Sequence, residues 1–369
     1  MPASFFFIDT ERVWRGGQEQ LFTLLRGLVQ RGNRVHLVCY PGTLLEERSH
    51  ELDIGVDTMA IRSELDPVSL YRLSKLMCRV RPEIVAFNTP RAILMGNLAS
   101  RLAGVRARII FRRVNFPLRK NPITRLKYNW GIDRIVAISE SIRRQLESGG
   151  VPGARIRTIY EGMDPSRFPK REFRDPRKMG EPVVVGTVTY LSEEKGLKYL
   201  VEAAARIPQV QSLYRFVIVG DGDCRGALEQ QVVRLGLKDC FVFAGFQNRP
   251  AHYLPTFDLF VLPSLSEGLS SAILAAMADS LPVIASNIGG IPELVRPEEN
   301  GLLVPPADAD SLAAAIQQLA NDPERAFRMG QQGRRLIAER FTLERKILET
   351  EELCLSLLER PAPLSPAHA

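Results

Sequence analysis

LFVLPSLSEGLSSAILAAMADSLPVIASNIGGIPELV, residues 259–295, is the stretch that decides the fold of this chain. Its apolar start, Leu259–Pro263, is typical of a buried parallel strand. The helical spacing of apolar residues after Ser270 predicts a helix with a serine cap. A second strand follows at Pro282, and Gly289-Gly290 opens another helix. Strands that lead through tight turns into helix N-termini offer backbone amides to an anion, above all a diphosphate.

A carboxylate, Glu267, directly precedes Gly268 in the first of these turns. It would repel a phosphate, so we expect it to serve another part of a ligand, such as sugar hydroxyls. The segment Ser266–Val295 resembles the nucleotide-sugar signature of the family 4 retaining glycosyltransferases, two-domain enzymes of the type B glycosyltransferase fold. Any doubly wound α/β protein also has turns of this kind, so the stretch by itself leaves a purely structural interpretation open.

The length of 369 residues predicts two domains rather than one core. The composition, 45% hydrophobic and 25% charged, is typical of a soluble globular protein. No apolar run reaches the roughly 18–20 residues of a membrane span, and Phe5–Ile8 predicts a first strand rather than a signal peptide. Five scattered cysteines without a CxxC pair indicate reduced thiols in the cytoplasm, and four histidines without ligand spacing indicate no metal site.

Charge is concentrated in the first half of the chain. Residues 1–180 contain 32 basic and 18 acidic residues, and no acid lies between Glu83 and Asp133. This asymmetry favours an anionic partner, such as lipid headgroups or a phosphorylated glycan, over a solvated basic face. Nucleic acid is the weakest candidate, because no binding module accompanies the charge. The residues predicted to contact a membrane or acceptor are Arg112, Arg119, Lys120, Arg125 and Lys127.

Strands alternate with helices along almost the whole chain, which predicts two doubly wound Rossmann-like α/β domains facing across a cleft. The third strand is predicted at Thr58–Ile61, and a polar, Pro-broken segment marks the domain boundary. The predicted segments are an acceptor-side domain (1–163), a linker (164–181), a nucleotide-sugar domain (182–340), a C-terminal helix (341–360) and a disordered tail (361–369). In the resembled family that helix returns to the N-terminal domain.

Two further motifs point to phosphate chemistry. Lys195 stands near a helix start, where its charge opposes the helix dipole unless an anion is bound; an ordinary exposed lysine is the alternative. The segment from Gly220 to Gly226 has the spacing of a dinucleotide fingerprint, so a nicotinamide oxidoreductase is considered. No acid is placed to hold a ribose after the next strand, which weakens that alternative. The resembled family has a Gly-Asp-Gly turn at this point.

The resemblance implies roles for single residues. Lys195 would grip the diphosphate and Glu267 would hold hydroxyls of the donor sugar. The chain departs from the family at Tyr190, where an Arg is usual, at Ala275, where a second Glu binds ribose, and at Arg113, where many members carry a His. The predicted catalytic residues are Lys195, Glu267 and Arg113. The predicted donor-binding residues are Gly16, Gly17, Lys195, Gly220, Asp221, Phe246, Glu267, Gly268, Leu269, Ser270 and Ser271.

Together these features predict a metal-independent, retaining glycosyltransferase without a cofactor. Its donor would be a UDP- or GDP-linked sugar, and its acceptor a glycan or glycolipid of a cell-surface polysaccharide such as lipopolysaccharide core. It would act at the cytoplasmic face of the inner membrane, without a nucleic-acid partner. The alternatives are a non-catalytic relative that binds glycan, and an epimerase- or phosphorylase-like enzyme on the same architecture.

Overall fold

The structure is a computed structural model that describes residues 2–61, 63–64, 66–119 and 121–359. Tertiary contacts divide the chain into two compact units. Unit 1 comprises the residues up to Glu161 together with those from Leu343 onward, and unit 2 comprises Gly162–Thr342. Each unit contains one sheet in which all strand pairings are parallel.

Unit 1 is built on a sheet of seven strands. In chain order these strands are β1 (Ser4–Ile8), β2 (Arg34–Cys39), β3 (Gly55–Thr58), β4 (Ile84–Phe87), β5 (Ala107–Arg112), β6 (Arg134–Ala137) and β7 (Ile156–Thr158). Their order in the sheet is β3-β2-β1-β4-β5-β6-β7, so the chain reverses its winding direction after β3. Every residue of β1 and β4 is buried, as expected for strands covered on both faces.

Helices connect these strands. They are α1 (Gly16–Gln30), α2 (Leu44–Ser49), α3 (Pro67–Val80), α4 (Pro90–Leu102), α5 (Pro122–Asn129) and α6 (Glu140–Ser148). The bounds of α2, α5 and α6 do not follow from the sequence patterns above, although each helix has a polar N-cap whose side chain accepts a backbone hydrogen bond: Thr43, Asn121 and Ser139. These helices are short, and a short helix has too few residues to show a clear helical spacing of apolar residues in the sequence.

Unit 2 repeats the architecture with six strands in the order β10-β9-β8-β11-β12-β13. The strands are β8 (Val183–Val188), β9 (Tyr214–Val219), β10 (Phe241–Gly245), β11 (Leu259–Leu262), β12 (Val283–Ser286) and β13 (Gly301–Val304). The helices are α7 (Leu197–Arg206), α8 (Val210–Leu213), α9 (Arg225–Arg234), α10 (Ser271–Ala278), α11 (Ile291–Leu294), α12 (Ala309–Asn321) and α13 (Pro323–Arg340). One core cluster combines residues of these strands with the apolar faces of α7, α9 and α12.

The last helix, α14 (Leu343–Leu358), belongs to unit 1 and packs on α1. The two helices approach closely at Gly27, because a Cβ there would lie 2.1 Å from Cδ1 of Ile347. Among the described residues, none of the helices combines the length and the apolar character that crossing a membrane requires.

Two sequence expectations need correction. The third strand lies at Gly55–Thr58, not at Thr58–Ile61, because the weakly apolar segment GVDT pairs with β2 while the more apolar residues after it do not. Residues 164–181 were expected to be a linker, yet they are part of unit 2. There, Arg171 donates hydrogen bonds to the carbonyls of Phe257 (2.6 Å) and Leu254 (2.8 Å). The predicted tail, 361–369, lies outside the described residues.

Candidate functional site

The carboxyl edge of the sheet in unit 2 gathers the turns that follow its strands, as in other open parallel sheets. After β8 the chain forms a single turn of 3-10 helix, Glu193–Lys195, and then passes through Gly196 at φ 63°. A Cβ on Gly196 would lie 2.1 Å from the carbonyl oxygen of Pro263. Glycine therefore allows the Lys195 turn to rest directly on the end of β11.

This packing brings Lys195 and Glu267 together, although 72 positions separate them. Lys195 Nζ donates to Glu267 Oε2 over 2.7 Å, and the two side chains are 18% and 11% exposed. Ser264 Oγ donates to the same carboxylate oxygen over 3.2 Å. The backbone carbonyl of Glu267 accepts from the amide of Gly290 over 3.3 Å, which ties the two glycine-containing turns together. A cation and a carboxylate thus stand side by side at the edge of the sheet.

Helix α10 begins beside this pair. Ser270, almost fully buried, caps it by accepting from the amide of Ile273 over 3.3 Å. Gly268 and Leu269, which connect Glu267 to the cap, are also buried. The amide of Ser271 lies in the first turn of the helix, where backbone donors have no intrahelical acceptor. The predicted donor-binding turn therefore has the elements of an anion site next to a lysine.

The Gly-Asp-Gly turn after β9 has a packing reason for its glycines. Gly220 (φ 136°) and Gly222 (φ 158°) hold the chain against the loop that follows β8, and a Cβ on Gly220 would lie 1.8 Å from the Thr189 carbonyl oxygen. Asp221 accepts from the amide of Gly222 and pairs with Arg225 at 3.0 Å. These two contacts, the amide first, lower the pKa of Asp221.

Three more positions at this edge bear on the sequence predictions. Phe246, directly after β10, is 54% exposed, so one apolar ring stands open at the predicted donor site. Tyr190 reaches the carboxylate of Asp223 with its hydroxyl at 3.3 Å. Ala275 is half-buried on α10, one turn after Ser271, and therefore lies on the same side of the helix as the first-turn amides.

The corresponding edge in unit 1 carries a buried polar cluster. Asp9, after β1, accepts hydrogen bonds from the side chains of Asn88, after β4, and of Gln18, in the first turn of α1. The amide of Glu11 also donates to this carboxylate, over 2.8 Å. Burial raises the pKa of Asp9 in spite of these donors. Among the described residues, the Oδ1 atom of Asn88 is buried without a hydrogen-bond partner.

A second cluster at the same edge is charged. Arg113, just after β5, donates from Nε to Glu161 Oε1 over 2.6 Å. The other oxygen of Glu161 forms an ion pair with Lys346 of α14 at 2.6 Å. Lys346 Nζ also donates to the backbone and side-chain oxygens of Gln20, each at 2.7 Å. All three charged side chains are at most 8% exposed.

Sequence analysis missed Glu161 and Lys346. Glu161 follows a strand end in a stretch without a recognisable motif. Lys346 could have been identified from the sequence, because it lies on the buried face of α14 together with Ile347, Thr350 and Cys354. A lysine on the apolar face of an amphipathic helix is unusual unless it is paired.

Arg112 was predicted to face an acceptor, and the structure corrects this. Its side chain is buried, and its Nη1 donates to the hydroxyl of Tyr128 over 2.9 Å while its Nη2 donates to the carbonyl of Phe116 over 2.5 Å. Arg112 is the last residue of β5 and Arg113 is the residue after it, and the two side chains have different partners. Arg112 fixes the loop that leads to α5.

The residues predicted to contact a membrane differ in their exposure and pairing. Arg119 and Arg125 are exposed, as expected. Lys127 is not a free surface cation, because it is 13% exposed and pairs with Glu64 at 2.5 Å. The prediction missed this acid because Glu64 lies far away in the sequence. Lys120 lies outside the described residues.

Among the described residues, no group of three His, Cys, Asp or Glu side chains is arranged to hold a metal ion. Two family models match the chain and do not overlap. The model "Glycosyltransferase Family 4" matches residues 14–167, and the model "Glycosyl transferases group 1" matches residues 169–336. Between them they span both sheets and both edges described above. The chain belongs to this glycosyltransferase family.

The chain is similar to several curated proteins, among them two from bacteria. An amylovoran biosynthesis glycosyltransferase, AmsK of Erwinia amylovora, is 33% identical over 194 residues, which are 50% of this chain and 47% of the relative. The lipopolysaccharide core biosynthesis glycosyltransferase LpsE of Rhizobium meliloti is 28% identical over 89% of this chain and 93% of its own length. The chain spans about half the length of the first curated relatives that it matches.

Solved structures share the architecture. HepE of Anabaena in complex with UDP-glucose superimposes with a TM-score of 0.82 at 22% identity, covering 95% of this chain and 100% of that one. The lipopolysaccharide outer core galactosyltransferase WaaB, in its apo form, gives a TM-score of 0.73 at 19% identity over 95% and 99%. The two parallel-sheet units of this chain therefore have the type B glycosyltransferase fold.

Proposed function

We propose that this chain is a retaining glycosyltransferase that takes its sugar from a UDP- or GDP-linked donor and transfers it to a glycan or glycolipid of the cell surface. The observation that carries the proposal is the Lys195–Glu267 pair beside the N-terminus of α10. A lysine ammonium and helix-terminal amides bind phosphates, while a carboxylate fixed next to them accepts hydrogen bonds from sugar hydroxyls. The HepE complex with UDP-glucose supports the choice of ligand class and makes UDP the first nucleotide to test.

In this proposal the residues divide the work as follows. Lys195 and the amides of the 268–271 turn stabilise the negative charge that develops on the diphosphate as its bond to the anomeric carbon breaks. Glu267 holds the sugar ring by its hydroxyls. A bond forms from the same carbon to the acceptor oxygen on the face that the diphosphate leaves, and the acceptor proton passes to the leaving diphosphate oxygen. No metal takes part in these steps.

Nucleotide binding tests the proposal. We expect UDP or a UDP-sugar to raise the melting temperature in the presence of a chelator. Lys195→Met should remove most of this shift, because it deletes the charge at the phosphate. Lys238→Met, a matched change at an exposed lysine of the same unit, should leave the shift intact. Absence of any shift with both UDP and GDP at millimolar concentration would favour the non-catalytic glycan-binding alternative.

We also propose that unit 1 contacts the anionic cytoplasmic surface of the inner membrane. Helix α5 supports this, since Ile123 and Leu126 are 71% and 53% exposed beside the exposed cations Arg119 and Arg125. Each cation near an anionic bilayer contributes about 1 kcal/mol, and exposed apolar side chains add to it.

Vesicle binding checks the membrane proposal. Binding to vesicles rich in anionic lipid should fall with added salt and with the double change Arg119→Gln and Arg125→Gln. Arg144→Gln, on the exposed side of α6, serves as the control. Binding that ignores both the salt and the double change would mean that the charge is only a solvated face.

A further inference from the structure

The guanidinium of Arg113 has hydrogen-bond donors that no described residue accepts. Among the described residues, its Nη1 and Nη2 atoms are buried and have no hydrogen-bond partner, although the side chain is only 8% exposed. Only Nε is engaged, with Glu161. Leaving charged donors buried and unpaired is unfavourable, so a folded protein seldom does so without a use for them. The Cζ atom of the guanidinium also lies 5.0 Å from the centre of the Phe111 ring, which is a cation–π contact.

The charges around Arg113 do not balance. Glu161 is one carboxylate shared by two buried cations, Arg113 and Lys346. Glu19, a further acid that acts on Lys346, is paired with Arg48 at 3.2 Å. The three-residue group of Arg113, Glu161 and Lys346, which we call the buried triad, therefore holds one positive charge more than it can neutralise.

Helix α1 adds to this positive field. The Cδ atom of Arg113 lies 3.6 Å from the position that a Cβ on Gly17 would take, so the guanidinium stem packs on the first turn of α1. The amides of Gln18 and Glu19 donate to the Arg15 carbonyl, which leaves the amides of Gly16 and Gly17 at the open end of the helix. An arginine beside the positive end of a helix dipole is unfavourable until an anion is bound there.

The same turn borders an acceptor that also lacks a partner. Gln18 binds Asp9, Asp9 binds Asn88, and the Oδ1 atom of Asn88 is buried without a donor. Arg113 packs on Gly17, and Asn88 is connected to Gln18 through Asp9. The first turn of α1 is thus linked to donors on one side chain and an acceptor on another that no described residue pairs. A bare anion would satisfy only the arginine, whereas a sugar with an acidic substituent offers an oxyanion to Arg113 and a hydroxyl to Asn88.

We propose that Arg113 is a specificity-determining residue that binds a carboxylate or phosphate substituent on a sugar substrate, and that Glu161 and Lys346 are the positioning residues that hold it. Two parallel N–H groups of a guanidinium match the two oxygens of either substituent. This inference rests on the proposed function and extends it, because it assigns a chemical class to the sugar that unit 1 receives.

Sugar binding to the full chain tests the inference, measured by calorimetry or saturation-transfer NMR. The probes are glucuronic acid, glucose 6-phosphate and glucose. We expect at least one acidic sugar to bind about tenfold more tightly than glucose, as one charge-assisted bidentate contact allows. Preference for glucuronic acid would assign a carboxylate, and preference for glucose 6-phosphate a phosphate. Equal binding of all three sugars overturns the inference.

Two variants locate the effect. Arg113→Met should abolish the preference for acidic sugars, and Arg113→Lys should keep only part of it, because an ammonium lacks the planar fork. Arg91→Gln, at an exposed arginine at the start of α4, should change nothing. If Arg113→Met retains the full preference, Arg113 is not the ligand and the inference fails.

The positioning roles need a readout that loss of stability does not mimic. Lys346→Met should lower the ratio of acidic-sugar to neutral-sugar affinity, whereas general damage to unit 1 would weaken both sugars alike. An unchanged ratio would contradict the role of Lys346.

Two further probes separate this inference from its rivals. Inorganic phosphate and acetate should bind more weakly than the acidic sugars; equal binding would mean a site that reads charge alone and would overturn the inference. UDP binding is measured in parallel. If Arg113→Met loses UDP but keeps acidic sugars, the anion is the donor diphosphate and the inference fails. If UDP does not bind the wild type, the proposed function fails instead.

Discussion

The two sheet edges of this protein use charge in opposite ways. In unit 2, Lys195 and Glu267 form a one-to-one pair that is partly open to water. In unit 1, two buried cations share Glu161, and the guanidinium of Arg113 keeps unpaired donors. The same fold thus presents a balanced pair on one sheet and an excess positive charge on the other.

This difference separates a site that can exchange partners from one that lacks a partner. Lys195 can turn from Glu267 to a diphosphate at modest cost, because water reaches both groups. Arg113 cannot leave Glu161 without leaving a buried charge unpaired. It can bind a ligand without leaving Glu161, because no described residue pairs with its Nη1 and Nη2 atoms. The balanced edge suits binding and release of a nucleotide, and the unbalanced edge suits recognition of a fixed acidic group.

The largest expected effect comes from breaking the buried triad. Glu161→Gln leaves Arg113 and Lys346 as two buried cations without a carboxylate, and we expect a loss of about 3–5 kcal/mol in the free energy of unfolding. Glu267→Gln, the matched change in unit 2, should cost less because its partner keeps access to water. Urea unfolding of both variants measures the contrast, and equal losses would show that the two edges do not differ as described.

The next effect concerns catalysis. Lys195→Met should lower the rate of sugar transfer or of slow donor hydrolysis by about 10²–10³, the usual effect of removing one charge-stabilising donor. The rate is measured as the release of UDP from a UDP-sugar, which a coupled assay detects. Lys238→Met should retain the wild-type rate, and a Lys195→Met enzyme at full rate would exclude Lys195 from the machinery.

The pH dependence of stability sharpens the description of unit 1. Burial, with Arg113 adding to it and Glu161 opposing it, lowers the pKa of Lys346 from 10.5 to about 8. Below pH 8 this residue is protonated in both the native and the unfolded protein, so the cost of burying its charge is present in full.

Between pH 8 and 10.5 the unfolded chain keeps a proton that the native protein releases. The free energy of unfolding of the wild type should therefore rise with pH, relative to that of Lys346→Met, across this window. Urea unfolding of both proteins at several pH values between 7 and 10 tests the sign. A constant difference would mean that Lys346 keeps its ordinary affinity for the proton.

The smallest effect is the most diagnostic. Arg113→Met removes the two buried unpaired donors and leaves Glu161 and Lys346 as a balanced pair. We expect the free energy of unfolding to stay within about 1 kcal/mol of the wild type, or to rise, as happens when a residue serves binding rather than stability. A loss comparable to that of Glu161→Gln would make Arg113 a structural residue.

Much of the fold could be predicted from the sequence, because fully buried strands and their turns leave strong local patterns. Leu259–Leu262 and Val283–Ser286 appear where the apolar runs indicated. The edge strand Gly55–Thr58 was misplaced because its sequence, GVDT, is only half-buried and has no such run.

The residues of the candidate site also differ in how far the sequence predicts them. Lys195 and Glu267 are 72 residues apart, and only the resemblance to a family linked them before the structure did. Glu161 and Lys346 are 185 residues apart, carry no motif and meet only because α14 packs on α1. Arg112 and Arg113 look alike in sequence, and only the structure shows that the first fixes a loop while the second has nitrogen atoms that no described residue pairs.

One matrix of binding measurements tests the division of labour between the edges most directly. The wild type, Lys195→Met and Arg113→Met are each titrated with UDP and with the acidic sugar that the wild type prefers. We predict that Lys195→Met loses UDP and keeps the acidic sugar, and that Arg113→Met loses the acidic sugar and keeps UDP. The opposite pattern, or the loss of both ligands in either variant, would contradict the account.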